Sequence, residues 1–93
     1  MKRELVRTNA FIRAAKRYAK KNAQSAAEVE AALVFLQDDA FDPRLKTHKL
    51  KGDLDGLWAC SAGYDSRIVF EFTQRGGQEA IALLTMGTHD EVY

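Results

Sequence analysis

Two histidines and one arginine stand out, because imidazole and guanidinium side chains can transfer protons and bind phosphate at neutral pH. His48 lies in the basic run R-L-K-T-H-K-L-K, Arg67 opens the alternating run R-I-V-F, and His89 follows Gly-Thr in the segment G-T-H-D-E-V-Y. Imidazole titrates near pH 6.5 and suits a general acid or a general base. Guanidinium stays protonated and can donate two parallel hydrogen bonds to a phosphate. These residue types predict proton transfer at an anionic centre.

Two further residues extend this set, and all five also have a structural interpretation. Tyr93 could stack on an unpaired base, and Asp65 lies two residues before Arg67. Alternatively, His89 is a surface histidine and His48 one more polar residue of a basic loop. Arg67 then pairs with a neighbouring carboxylate, Asp65 is a turn residue before a strand, and Tyr93 packs against the edge of a sheet.

The same residues argue against a metal site. Two histidines about forty residues apart, without a pair of cysteines, lack the ligand spacing of zinc sites. General acid, general base and positive charge are all available from side chains, so we expect neither metal nor other cofactor. The single cysteine, Cys60, excludes an intramolecular disulfide, which is consistent with a reducing cytoplasm.

Charge is segregated along the chain although the formal net charge is only +1. Residues 1–23 carry eight Lys or Arg and one acid, residues 24–43 carry five acids and no base, and residues 44–51 carry four bases and no acid. Such blocks predict a positive face for a polyanion, with a solvated helix surface as the alternative. The candidate phosphate-binding cations are Arg13, Lys16, Arg17, Lys20, Lys46, Lys49 and Lys51.

The length of 93 residues predicts a single domain over 1–93 with one core. No apolar run approaches the roughly 20 residues that cross a bilayer, and the N-terminal M-K-R-E-L-V-R is not followed by a signal-peptide core. We therefore expect a cytoplasmic protein that does not associate with membranes.

The spacing of apolar residues, which indicates the elements that position these groups, changes from a helical to a strand period near Pro43. A short strand is predicted at 4–8, a helix at 9–22 with Thr8 or Asn9 as its N-cap, and a second helix beginning at Ser25, which has capping-box spacing to Glu28. After Pro43 the period is 2: strands are predicted at 57–62, 67–73 and 80–86, with the turn Q-R-G-G-Q between the last two.

These elements predict an α+β fold in which an N-terminal strand and an antiparallel helix hairpin accompany a small, mostly antiparallel sheet. The helices cover one face. Because Ile68, Phe70 and Phe72 must serve the core, Arg67 is expected on the opposite, open face. The loop 44–51 and the segment after Met86 could converge there with Arg67.

Three segments together resemble the RelE/YafQ-type toxins of bacterial toxin–antitoxin pairs. They are H-K-L-K-G-D-L-D-G-L-W at 48–58, Y-D-S-R-I-V-F at 64–70 and G-T-H-D-E-V-Y at 87–93. The resemblance spans most of the chain, with the elements in the same order. It implies a RelE-like fold and a ribosome-dependent, metal-independent endoribonuclease that cuts mRNA in the decoding site through the RNA's own 2′-hydroxyl. It also implies a cognate antitoxin, and a toxin–antitoxin heterotetramer on operator DNA.

The resemblance extends to individual residues. His89 matches the histidine after Gly-Thr in YafQ-like members, and Arg67 matches the arginine before the apolar triplet in RelE-like members. The remaining matches are His48 at the head of the H-x-L-x-G run, Asp65 at an aspartate of YafQ-like members, and Tyr93 at the terminal aromatic. Ser61 stands where YafQ-like members have a mid-sheet histidine. The chain thus mixes two patterns, which leaves the general base open.

On this interpretation His89 is the general acid and Arg67 stabilises the charge of the transition state. His48 acts as general base or positions the phosphate, and Tyr93 orients the nucleotide. Two other functions fit the same fold: a ParE-like inhibitor of DNA gyrase, and a catalytically degenerate member that only binds an antitoxin or RNA.

Overall fold

A computed structural model describes residues 2–92, so Tyr93 lies outside the described residues. The chain begins with strand β1, followed by helices α1 and α2, which are linked by a short 3-10 turn. Strands β2 to β5 follow, and a short helix α3 comes after β5. The bounds are β1 Glu4–Arg7, α1 Asn9–Lys21, α2 Ala26–Asp38, β2 His48–Lys49, β3 Trp58–Ala62, β4 Ser66–Arg75, β5 Gln78–Thr88 and α3 His89–Val92.

The five strands form one sheet in the order β1-β5-β4-β3-β2. β1 pairs with β5 in parallel, and every other pairing is antiparallel. The predicted α+β fold is confirmed, and β5 is an internal strand, as its apolar character on both faces indicates. β4 and β5 are joined through Gly76 and Gly77, whose φ values of 58° and 79° suit a tight hairpin turn.

Both long helices pack on one face of the sheet. Phe11, Ala14 and Tyr18 of α1 and the stripe Val29–Leu33–Leu36 of α2 meet Cys60, Ile68, Phe70, Ile81 and Leu83 from the strands, all of them buried. α1 begins where predicted, because the Thr8 hydroxyl accepts a hydrogen bond from the Phe11 amide at 3.2 Å. Tyr18 also ties α1 to the sheet through a short hydrogen bond between its hydroxyl and Ser66 Oγ.

The start of α2 differs from the prediction. Ser25 closes the 3-10 turn Ala23–Ser25 in a right-handed helical conformation and forms no side-chain cap, so the predicted capping box is wrong. A capping residue needs extended backbone, and here the 3-10 turn leads directly into α2. The Glu28 carboxylate lies instead against Gly63, where an added Cβ would be 2.5 Å from Glu28 Oε2.

The opposite face of the sheet is only partly open. A small apolar cluster of Leu50, Ala59 and Val69 covers its middle, with Leu57 and Val92 packed against it. Val92 belongs to α3, so this helix folds back over the sheet. Sequence periodicity detected neither α3 nor β2, because each is too short to show a period.

Candidate functional site

Arg67 reaches the open face because β4 alternates strictly up to Val69. Ile68 and Phe70 are fully buried under the helices, while Arg67 pairs with Ser61 on β3 and Gly87 on β5. A register shift between Val69 and Phe70 interrupts the ladder further along the strand. The predicted face of Arg67 is therefore confirmed.

The Arg67 guanidinium is fixed by backbone carbonyls. Its Nη1 donates to the Ser66 carbonyl at 2.9 Å and to the Tyr64 carbonyl at 3.3 Å. Within residues 2–92 it forms no ion pair with a carboxylate, contrary to the structural alternative for this residue. Because these bonds occupy only one nitrogen, the other guanidinium donors can serve an incoming anion.

His89 reaches the same place because the chain turns directly after β5. The His89 amide donates to the Asp65 carbonyl at 3.0 Å, which ties α3 to the turn before β4. The imidazole is about half exposed, and its Nδ1 lies 3.6 Å from Asp90 Oδ1. His89 and Arg67 thus lie near each other although they come from different strand ends.

A reciprocal capping box starts α3. Glu91 Oε1 accepts from the Thr88 amide at 2.8 Å, and the Glu91 amide donates to Thr88 Oγ1 at 3.2 Å. Hydrogen bonds that the Glu91 carboxylate accepts from Thr88, above all from the Thr88 amide, hold the pKa of Glu91 below its ordinary value against a smaller effect of burial, helped by the charges of Lys21 and Arg17. In the sequence, the T-H-D-E run at 88–91 has the capping-box spacing that could have indicated α3.

Gly87 permits the fold-back of α3. A Cβ at Gly87 would lie 2.9 Å from Glu91 Oε1 and 3.2 Å from Glu91 Cβ. The close approach of α3 therefore explains why a glycine stands in the G-T-H run. Because His89 is the first residue of α3, the same glycine also permits the position of His89.

An open cleft of about 580 Å³ collects three of the five predicted catalytic residues and one of the predicted cations. Arg67, His89, Asp65 and Lys46 all line it. The further lining residues are Arg44, Ser61, Gly63, Tyr64 and Asp90. The predicted convergence of the loop 44–51, the strand of Arg67 and the segment after Met86 is thus found in the structure. Sequence reasoning missed Arg44 and Tyr64.

His48 lies beside this cleft but does not line it. It pairs with Ala59 across β2 and β3, so its side chain shares the open face of the sheet. Its Nδ1 is 2.9 Å from the Lys46 carbonyl. The structure therefore unites Arg67, His89 and Asp65 and places His48 at the neighbouring edge strand.

The other predicted cations are distributed over several surfaces. Lys49 lies opposite Trp58 and over its ring, at 5.5 Å from the centroid, on the helix-covered face. Lys51 is exposed beyond β2, and Arg13, Lys16 and Lys20 are exposed along α1. Arg17 lines a second cleft, of about 400 Å³, together with Lys21 and Glu91. Lys46 is thus the one predicted lysine that lines the cleft of Arg67.

Within residues 2–92, no three His, Cys, Asp or Glu side chains are grouped so that they could hold a metal ion. Cys60 lies fully buried on the helix side of β3, and burial raises the pKa of its thiol to about 12, partly opposed by the nearby charge of Arg67. Among the described residues, no helix has the length and apolar character needed to cross a bilayer.

Comparisons with known proteins identify the family of the chain. A family model described as the bacterial toxin of type II toxin–antitoxin systems, YafQ, matches residues 3–93. The chain belongs to the YafQ toxin family. A comparison with curated protein sequences finds no match.

Solved structures share the fold of this YafQ-family chain at low sequence identity. YafQ from E. coli strain BL21(DE3) aligns with a TM-score of 0.77 at 15% identity, covering 98% of each chain. YafQ in the E. coli DinJ–YafQ toxin–antitoxin complex aligns with a TM-score of 0.75 at 16% identity, covering 100% of this chain and 99% of that one. A YoeB/ParE toxin from Agrobacterium tumefaciens gives 0.73 at 19% identity, with coverage of 92% and 98%.

Proposed function

We propose that this YafQ-family toxin is a ribosome-dependent endoribonuclease that cuts mRNA in the decoding site and so inhibits translation. One observation carries the proposal. A single cleft on the open face of the sheet collects the guanidinium of Arg67, the imidazole of His89 and the ammonium of Lys46 from three separate segments. Proton donor and positive charge beside one another are what phosphodiester cleavage requires.

In the proposed reaction the 2′-oxygen of the RNA attacks the adjacent phosphorus while the bond from phosphorus to the 5′-oxygen breaks. A general base removes the 2′-proton, and His89 donates a proton to the leaving 5′-oxygen. Arg67 donates hydrogen bonds to the phosphate oxygens as their negative charge develops. The products are a cyclic phosphate and a free 5′-hydroxyl.

Two residues are candidates for the general base. Asp65 lines the cleft with Arg67 and His89, whereas His48 lies on the adjacent edge strand. Lys46 binds the phosphate backbone, and we assign the remaining cations to non-specific contacts with RNA. Tyr93 is proposed to orient the nucleotide. The proposed residues fill all three roles, so the mechanism includes no metal.

The variant His89→Gln tests the proposal. Induction of the wild-type chain is expected to arrest growth and to produce new transcript 5′-ends in primer extension on a reporter mRNA. His89→Gln should lose both effects, because glutamine cannot donate an acidic proton. The control Arg75→Gln changes an exposed arginine, paired with Glu4 at 3.6 Å, that does not line the cleft, and it should remain toxic. Undiminished cleavage by His89→Gln would refute the assigned role.

The gyrase-inhibitor alternative has support from fold likeness alone, since one similar structure is a YoeB/ParE toxin at 19% identity. It gives no role to His89. The cellular damage separates the two functions: cut transcripts support the nuclease, and gyrase-dependent DNA breaks support the alternative. Antitoxin binding without transcript cleavage or toxicity would indicate a degenerate member.

We further propose a cognate antitoxin as partner, by analogy with the DinJ–YafQ complex. Its binding would inhibit the toxin, and the heterotetramer would bind operator DNA. Co-expression with a neighbouring small reading frame should restore growth, and the co-purified complex should shift the promoter fragment in a gel. Because the proposed substrate is ribosome-bound mRNA, the toxin would act in the cytoplasm.

A further inference from the structure

Two planar side chains at the rim of the cleft, Arg44 and Tyr64, have no role in the proposed cleavage. Arg44 comes from the 3-10 turn Pro43–Leu45, and Tyr64 comes from the turn between β3 and β4. They therefore reach the cleft from two different segments. Their surroundings differ from those of Arg67 and His89, because a carboxylate neutralises Arg44 and the Tyr64 ring is almost fully exposed.

The Arg44 guanidinium is held rigidly although its side chain is 64% exposed. Its Nη2 lies 2.7 Å from Asp42 Oδ2 and its Nε lies 3.1 Å from Asp42 Oδ1, which is a forked pair. Its central carbon lies 3.8 Å from the centroid of the Phe35 ring. Asp42 and Phe35 thus fix the position and the plane of the group.

This arrangement determines what Arg44 can offer a ligand. Asp42 already occupies one edge of the guanidinium and offsets its charge, so a phosphate has little to gain there. The surface of the plane away from Phe35 remains for a ligand, and guanidinium planes are stacking platforms for unpaired bases. Fixed geometry lowers the entropy cost of such a contact.

Tyr64 is the most exposed large apolar side chain of the described residues, at 96%. Tyrosine is ordinarily intermediate in its burial, so a ring this exposed is unusual, and aromatic rings at nucleic-acid surfaces stack on bases. The Tyr64 carbonyl accepts the 3.3 Å hydrogen bond from Arg67 Nη1. The backbone that carries the Tyr64 ring is therefore connected to the group that binds the scissile phosphate.

We propose that Arg44 and Tyr64 form a nucleobase-binding subsite, in which the unpaired base beside the phosphate at Arg67 stacks on these two planes. The subsite rests on the proposed RNA substrate and deepens it. It binds the base through its flat face, so it favours strongly stacking purines and does not depend on base-edge hydrogen bonds.

Fluorescence quenching tests the subsite without cleavage. The probe is a short single-stranded RNA, 2′-O-methylated throughout so that it cannot be cut, with one 2-aminopurine base whose fluorescence falls on stacking. The wild-type chain should quench it. Arg44→Lys keeps the charge without the plane, and Tyr64→Leu removes the ring. Each should weaken binding by roughly five- to a hundred-fold, the effect of one base stack.

Two matched variants serve as controls. Tyr64→Phe keeps the ring, and Arg75→Lys makes the same exchange as Arg44→Lys outside the cleft; both should bind like the wild type. Equal quenching by Arg44→Lys, Tyr64→Leu and the wild type overturns the subsite, as does a wild type that does not quench. If that wild type still cuts transcripts in cells, only the subsite fails. If it neither quenches nor cuts, the proposed function fails with it.

Discussion

Two guanidinium groups line the same cleft, and their hydrogen-bond partners give them different chemistry. Arg67 is partly buried and donates to backbone carbonyls, which leave its positive charge uncompensated among the described residues. Arg44 is exposed and its charge is offset by Asp42. The group with uncompensated charge suits an anionic transition state, and the neutralised group suits a flat, weakly charged ligand.

Arg67→Ala should therefore lower the cleavage rate far more than RNA affinity. The contact strengthens as charge develops on the phosphate, and removing one such donor costs roughly 3–4 kcal/mol of transition-state stabilisation, or about a hundred- to a thousand-fold in rate. Cleavage of ribosome-bound mRNA under single-turnover conditions, compared with binding of uncut RNA, measures the two effects. Equal losses in both would make Arg67 a binding residue only.

The Asp42–Arg44 pair should make the stability of the fold depend on pH in the acidic range. Hydrogen bonds from the Arg44 side chain and amide lower the pKa of Asp42 from 3.8 to about 2. Because folding lowers the pKa of the Asp42 carboxyl, its ionised form stabilises the fold at pH values above the ordinary pKa. This contribution is lost as the pH falls through 4 towards 2. The melting temperature of wild type should exceed that of Asp42→Asn only slightly at pH 7, because the Arg44 partner is exposed and water screens the pair. The difference should vanish near pH 2, and a constant difference down to that pH would contradict the assignment.

Sequence reasoning succeeded for residues whose position follows from alternation and failed for residues positioned by contacts between elements. Strand periodicity predicted the face of Arg67, and the Gly-Thr-His run drew attention to His89. Arg44 is oriented by Phe35 of α2, a contact between separate elements that no local pattern reports. The stacking role inferred for Arg44 therefore required coordinates.

At the scale of elements, two segments have the same capping spacing but different structures. Thr88 and Glu91 form a capping box because β5 ends in extended backbone, the conformation that an N-cap requires. Ser25 and Glu28 do not, because Ser25 already continues a 3-10 turn. The motif alone is therefore insufficient, and the conformation of the preceding residues decides whether the cap forms.

Because Glu28 lies against Gly63, we expect the methyl group of an alanine at position 63 to destabilise the fold. Gly63 has a φ of +80° and Gly56 a φ of +93°, so alanine at either position is strained, by about 1–2 kcal/mol. Only at Gly63 would the new Cβ also meet Glu28, at 2.5 Å. Gly63→Ala should therefore lower the free energy of unfolding more than Gly56→Ala does, as measured by urea denaturation.

The double variant Glu28→Ala with Gly63→Ala isolates the contact from the backbone strain. Shortening Glu28 removes the carboxylate that the methyl group would meet, so the excess loss should disappear. Equal losses for Gly63→Ala with and without Glu28 would show that backbone strain alone determines the cost.

At the scale of the whole molecule, one core joins the helices to the sheet, and a smaller cluster lies under α3. The number and order of the long elements were predictable because each shows a clear period. The two-residue strand β2 and the four-residue helix α3 show none, although both form part of the site's surroundings. Their positions depend on the completed sheet.

Cys60 provides a measure of this global stability. It is the only cysteine and is fully buried, and burial raises the pKa of its thiol to about 12. Thiolate is the reactive form, so native labelling by a thiol reagent at neutral pH should require unfolding. The expected slowing relative to denatured protein is about a thousand-fold or more. Rapid labelling of folded protein would contradict the described core, and Cys60→Ala provides the unlabelled control.

The parallel pairing of β1 with β5 has a consequence during protein synthesis. Thr8 and Leu83 are hydrogen-bonded although they are 75 positions apart, and β5 lies between β1 and β4. A ribosome releases the basic helices early, but the sheet stays incomplete until translation has passed Thr88, and His89 emerges next. If the toxin cuts mRNA as proposed, the nascent polypeptide cannot do so before β5 and its proton donor have been synthesised.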